Sequence, residues 1–171
     1  IAAYHSVLDD PVFATSNQPH IQERYLEVFR SVLGFHRLLG DRRALGVLIR
    51  RLRRSLAAAP WPSSVAFIQG HRELLAMATF YRAILAEHRR PRQVVRDLDR
   101  FLTAFPHEPS AASMRLEARW RIFQLRVDSG DRSTRGLRTS LLHAVLEAAA
   151  HPIENTAGMR EALAERARFR L

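Results

Sequence analysis

A chain of 171 residues fits one domain, or one compact stack of repeats, and is long enough to bury a core without disulfide or metal staples. Its 27 basic residues against 17 acidic ones give a net charge of +10, a field suited to polyanions such as RNA, DNA or an anionic surface. The lack of cysteine excludes disulfides, thiolate metal ligands and cysteine nucleophiles, and no apolar run approaches the roughly 18 residues of a membrane span. Every basic residue is arginine. Excluding lysine from that many separate sites reads first as genome composition, so the placement of the arginines argues more than their number. An opening at Ile1 rather than methionine fits a processed or truncated chain, including a mitochondrial matrix protein whose Arg-rich leader has been cleaved; otherwise a cytoplasmic setting is expected.

Strand signals are nearly absent, and helical periodicity runs throughout. Residues 1–20 read as an N-terminal cap: a short helical piece over Ala2 to Asp9, then the polar loop "DPVFATSNQP". From Gln22 to Leu39 apolar residues including Tyr25, Leu26, Phe29, Val32, Leu33, Phe35, Leu38 and Leu39 recur at three- and four-residue steps, and Gly40-Asp41 stops the helix. A second helix is predicted from Arg42 to Ala58, with Leu45, Leu48, Ile49, Leu52 and Leu56 on one face and Pro60-Trp61-Pro62 ending it. The plan repeats with a long helix from Ser64 to His88, a break near Pro91, and a shorter helix carrying Val94, Val95, Leu98 and Leu102 that closes at Phe105-Pro106. A third round runs from Ser110 to Val127, turns at Ser129-Gly130-Asp131, and continues from Thr134 to Ala150. The tail from Asn155 to Phe169 is expected to be an amphipathic capping helix, with Met159, Leu163 and Ala167 on one side.

The spacing of these units is the strongest organisational signal. Pro60, Pro106 and Pro152 are 46 residues apart each time, and core positions keep register with them: Leu52 with Leu98, Leu56 with Leu102, Ile49 with Val95 and Leu141. Phe29 likewise matches Leu75, Phe35 matches Tyr81 and Leu39 matches Leu85. Each unit would bury one face against the next. The expected fold is all-α: three antiparallel helical hairpins (22–60, 63–106 and 110–152) stacked as a short right-handed α-solenoid in a single domain, with 153–171 as a capping helix. The alternative is an ordinary bundle of three unrelated helix pairs. In the helix, Gly-Asp turn, second helix and closing proline of "LLGDRRALGVLIRRLRRSLAAAP" and "DSGDRSTRGLRTSLLHAVLEAAAHP", the chain resembles the tetratricopeptide-like, α-solenoid class. Its period is longer than a standard tetratricopeptide repeat, and the W-x2-L-G-x2-Y signature is missing. That resemblance implies a scaffold binding other macromolecules along a surface. A second, shorter resemblance lies in "TFYRAILAEHRR", similar to the Leu-Tyr-Arg tripeptide of small mitochondrial accessory proteins with Phe80 in place of the leucine.

Catalytic chemistry finds no foothold. The eight histidines never fall within four residues of one another, and no HExxH or ExxH pattern offers a helical metal site. His36 and His143, beside apolar neighbours, read as packing residues. No phosphate-cradling glycine loop or GxSxG elbow occurs, and Asp97 and Asp99 among Arg96 and Arg100 read as surface ion pairs. No catalytic residue, metal, cofactor or small-molecule substrate is expected.

Arginine placement is the functional signal. At 100° per residue Arg43, Arg50 and Arg54 fall in a narrow arc opposite the leucine face, with Arg51 and Arg53 flanking. Forty-six residues on, these positions become Arg89, Arg96 and Arg100. The two sets would form a basic ridge across neighbouring helices about 8–10 Å apart, able to meet successive phosphates of a nucleic-acid strand. The bland reading is a solvated charged face. In the third unit the ridge gives way to Leu142 and Leu146, which need cover from the C-terminal helix or a protein partner. Trp61, Trp120 and the phenylalanines sit in apolar stripes or turns, so base stacking is not supported. The expectation is a non-catalytic subunit of a large assembly, holding RNA backbone among neighbouring proteins in a ribonucleoprotein such as an organellar ribosome, with no membrane insertion. The alternative is a protein-protein adaptor or accessory subunit of a membrane-associated, respiratory-type complex.

Overall fold

The computed structural model describes residues 2–10, 12–13, 16–57, 65–85 and 90–130, together with positions 136, 138, 139, 142, 143, 145 and 146. Helix is the only repetitive structure among them, so the chain is all-α as expected. The chain divides into two compact units, Ile1–Ala86 and Glu87–Leu171.

The first unit holds α1 (Ala2–Asp9), α2 (Pro19–Leu38), α3 (Arg42–Ala57) and α4 (Val65–Ile84). Pro19 occupies the first turn of α2, where a missing N–H costs nothing. The α2–α3 reversal is compact because two residues do the work of two caps. Gly40 takes φ 66°, the left-handed conformation glycine adopts without steric penalty. Its N–H donates to Arg37 O, and that of Asp41 to His36 O, closing a Schellman turn. Asp41 Oδ1 then accepts the Ala44 N–H at 2.9 Å, capping the start of α3.

Helix α4 packs along both α2 and α3. Their shared core contains Tyr25, Phe29 and Leu33 from α2, Leu45, Leu48 and Leu52 from α3, and Phe67 and Leu74 from α4; Leu8 of α1 joins the same cluster. Leu26 of α2 fills the space left by Gly70 of α4, with its Cδ1 2.5 Å from where a β-carbon there would stand. A buried polar chain crosses the core. His71 Nδ1 lies 3.1 Å from Phe67 O and donates to it, leaving Nε2 to accept the Ser55 hydroxyl, also at 3.1 Å. Burial raises the pKa of the Tyr25 phenol, with Ser55 acting in the opposite direction. Buried Ser55 and His71 thus keep partners, and α3 is tied to α4.

The second unit holds α5 (Pro91–Ala104), a 3-10 turn (Pro109–Ala111) and α6 (Ala112–Asp128). Pro91 again lies in the first turn of its helix. Val94, Leu98 and Phe101 of α5 are buried, as are Leu116, Ala118, Ile122 and Phe123 of α6, and the two helices pack together. Arg115 is almost fully buried; its guanidinium donates to the carbonyls of Phe105 and Glu108, tying down the connection between α5 and α6. At the end of α6 Gly130 takes φ 71°, the turn expected at Ser129-Gly130.

The structure departs from the expected elements in two places. Phe35, Leu38 and Leu39 are exposed at 39%, 85% and 62% rather than core. The buried stripe of α2 runs through Gln22, Tyr25, Leu26, Phe29, Val32, Leu33 and His36, a three-four alternation that Phe35, Leu38 and Leu39 fall off. The helix expected to reach His88 ends at Ile84, with a turn at Leu85. The boundary between the two units falls within the expected 63–106 hairpin, α4 belonging to the first unit and α5 to the second. The described positions between 136 and 146 are helical, whereas Leu141, Pro152 and the expected capping helix 153–171 lie outside the described residues.

Candidate polyanion interface

Helix α3 is built as two opposed surfaces. Leu45, Leu48, Ile49, Leu52 and Ser55 are buried, and the helical period then places Arg43, Arg50 and Arg54 on the opposite side, where all three are exposed together with Arg53. Arg43 and Arg54 are eleven positions apart, about 16 Å along the helix. Among the described residues no carboxylate forms an ion pair with Arg43, Arg50, Arg53 or Arg54. Val47, 42% exposed, lies on the same stripe between Arg43 and Arg50.

Arg51, expected on the flank of this ridge, is placed elsewhere. Its side chain is 17% exposed and pairs with Asp9 of α1. It also lies 3.4 Å from His5 Nδ1, which as the partner of a guanidinium accepts. His5 then carries its proton on Nε2 and donates to His36 Nε2 at 3.3 Å. The proton of His36 is left on Nδ1, facing Asp41 Oδ2 at 3.9 Å, too far for a hydrogen bond. This chain of contacts clasps α1 to α2 and α3. Burial lowers the pKa of His5, with Arg51 and His36 acting in the same direction against Asp9. Helical periodicity holds no sign of this pairing, because His5 and His36 lie 31 residues apart.

The corresponding arginines of α5 are differently dressed. Arg96 donates to Gln93 Oε1 at 2.9 Å, and Arg100 reaches Asp97 Oδ1 at 3.4 Å. Gln93 also donates to Asp97 Oδ1 at 2.8 Å, so glutamine, aspartate and both arginines form one surface network. Arg89 lies outside the described residues.

Arg82 of α4 is a basic residue that arginine spacing alone did not bring to this face. A β-carbon at Gly46 of α3 would stand 3.4 Å from Arg82 Nε and 3.9 Å from Arg50 Nη1. The side chain of Arg82 therefore lies over Gly46, beside the α3 arginines. Among the described residues Arg82, too, has no ion-pair partner. The available signal was Gly46 itself, a glycine inside an otherwise strong helical pattern, where a close approach is the usual reason.

The remaining sites sort simply. Leu142 and Leu146 are both 55% exposed, so among the described residues nothing covers them. His143, read as a packing residue, is exposed and lies 3.3 Å from Arg119 Nη1. Phe80 of the tripeptide-like segment is buried core, and Tyr81 holds Arg37 over its ring at 4.3 Å. The Ser55–His71 contact has the pairing of a nucleophile and its base. Both residues are nevertheless buried, and the other nitrogen of His71 is spent on a backbone carbonyl, so the pair serves the core. Burial lowers the pKa of His71, opposed by its bond to Phe67. Among the described residues no group of three or more His, Asp or Glu is arranged to hold a metal, and no helix is long and apolar enough to cross a membrane. No protein-family model, curated protein or solved structure matches this chain.

Proposed function

We propose that this chain is a non-catalytic helical scaffold that holds the phosphate backbone of RNA within a ribonucleoprotein, of which an organellar ribosome in the mitochondrial matrix is the example we favour. The carrying observation is the α3 face, where Arg43, Arg50, Arg53 and Arg54 are exposed without a carboxylate partner among the described residues. An unpaired guanidinium presents its full fork to phosphate, and neutralising phosphates releases counterions from the nucleic acid. In this proposal the fold is a short right-handed α-solenoid of three hairpins, of the tetratricopeptide-like class. Matching Gly40 and Gly130 turns and the two helices that begin on proline support a repeated plan.

The test is binding of a labelled single-stranded RNA across a salt series. The native chain should bind with log K falling linearly against log salt, and charge reversal at Arg43, Arg50 and Arg54 should abolish most of that affinity. Unchanged binding in the folded variant would rule out the α3 face.

A second reading, a protein-protein adaptor or accessory subunit of a membrane-associated complex, is favoured by exposed Leu142 and Leu146 and by Phe35, Leu38 and Leu39. Nuclease treatment of native assemblies separates the two. Release of the chain supports RNA. Retention that is lost in Leu142→Ser, Leu146→Ser supports the adaptor.

A further inference from the structure

Gly46 occupies the interior of α3, where glycine is the poorest helix former after proline. Its backbone is not the reason, since among the described residues Gly40 and Gly130 are the positive-φ glycines. What it supplies is room. A methyl group at Gly46 would lie 3.4 Å from Nε and 3.7 Å from Cζ of Arg82, and 3.9 Å from Nη1 of Arg50. Two guanidiniums from different helices therefore converge on one point above a residue that has no side chain.

The convergence is supported from below. Arg42 Nε donates to the carbonyl of Arg82 at 3.1 Å, tying the last turn of α4 to the first turn of α3. Arg50 and Arg82 are both exposed, and among the described residues neither has a carboxylate partner. Like charges held together repel, and an anion seated between them turns the arrangement into two charge-assisted contacts.

We infer that Arg50 and Arg82, meeting over Gly46, form a two-armed clamp for a single phosphate group of the bound RNA backbone. The inference rests on the RNA-holding function proposed above and deepens it. The clamp fixes one phosphate from two helices, while Arg43 and Arg54 meet its neighbours from α3 alone. Register of the strand on the protein would then be set at the clamp.

The test compares Gly46→Glu, Arg82→Gln, Arg50→Gln and their double variant with Arg43→Gln, using a labelled oligouridine in a salt titration. Gly46→Glu puts a carboxylate one turn before Arg50, an orientation that pairs well on a helix, and within reach of Arg82. It should occupy the clamp in place of phosphate, lowering RNA affinity about tenfold, as expected for losing a bidentate contact from each arm, while raising the melting temperature. Arg82→Gln and Arg50→Gln should each lower the salt slope by about 0.7. The double variant should lose less than the two singles added together, because both arms hold the same phosphate. Arg82 is exposed, so its variant decides the question even if Gly46→Glu fails to fold. If Arg82→Gln binds like the native chain while Arg43→Gln is impaired, the clamp is wrong and the α3 face stands. If none of these variants changes the affinity, the RNA reading fails and the clamp with it.

Discussion

Helices α3 and α5 carry arginines at corresponding positions of the 46-residue spacing, yet the structure gives them opposite surroundings. On α3, Arg43, Arg50 and Arg54 face outward with no carboxylate partner among the described residues. On α5, Arg100 lies 3.4 Å from Asp97 and Arg96 is held by Gln93. The cause is local. Residues three apart on a helix share a face, and α5 has Gln93 and Asp97 three residues before Arg96 and Arg100, whereas α3 has Val47 and Arg51 three before Arg50 and Arg54. An arginine already engaged by a neighbour must give up that contact to take a phosphate. Equal charge at corresponding positions is therefore not equal availability.

The sharpest way to break this comparison is to reverse each face separately. Arg43→Glu, Arg50→Glu, Arg54→Glu should lower the salt slope for single-stranded RNA by about 2, from roughly 0.7 per phosphate contact, with affinity falling at least about tenfold. Arg96→Glu, Arg100→Glu should cost only a fraction of that. Equal losses from the two faces would show that pairing on α5 does not restrain its arginines. A smaller effect of opposite sign is expected from Asp97→Asn, which frees Arg100 without adding charge at the arginine. RNA affinity should rise about two- to threefold, on the scale of an exposed ion pair, and a fall would contradict the competition between Asp97 and phosphate.

The sequence makes the helices of both units legible because their signals are local. Gly40-Asp41, Pro91 and Gly130 act through their own backbone, and each marks a boundary in the structure, whereas α2 begins at Pro19, inside the stretch read as a loop. The core of α3 is also legible, since four leucine or isoleucine positions at helical spacing leave one choice of buried face. On α2 the same reasoning misplaces Phe35, Leu38 and Leu39. Hydrophobicity marks residues that favour burial, and the polar Gln22 and His36 hold stripe positions that the apolar residues at the helix end do not. The candidate site was legible only where a single helix defines it. Arg51 with Asp9, His5 with His36, and Arg82 over Gly46 depend on which helices pack together, and periodicity within one helix carries no information about that.

Neighbouring arginines of α3 sharpen the comparison within one helix. Arg50 lies on the open face and Arg51 in the clasp with α1. Arg51→Ala should leave RNA affinity within about twofold while lowering stability by about 1 kcal/mol, the value of a charged hydrogen bond discounted for the 62% exposure of Asp9. Arg50→Ala should do the reverse, weakening RNA binding with little change in denaturant midpoint. Loss of binding from Arg51→Ala at unchanged stability would move Arg51 back onto the interface.

The smallest effect on binding is expected from pH, and it separates the interface from the fold beneath it. Arginine stays charged throughout the accessible range, so RNA affinity at constant ionic strength should be flat from about pH 8 to 5.5 if arginine alone carries it. Stability should not be flat. The folded-state pKa values of His5 and His71 lie below the ordinary 6.5, chiefly through burial, so the folded protein favours the neutral imidazoles. Their contribution is present in full above 6.5 and is lost as pH falls from there through the depressed folded values, because the unfolded chain takes up protons first. Thermal melts between pH 8 and 5.5 should fall on acidification, and His5→Gln should remove the part of that slope belonging to the α1 clasp while sparing the part due to His71. An affinity that instead rises on acidification, following imidazole protonation in the folded protein, would place a histidine among the RNA contacts and end the claim that arginine carries them alone.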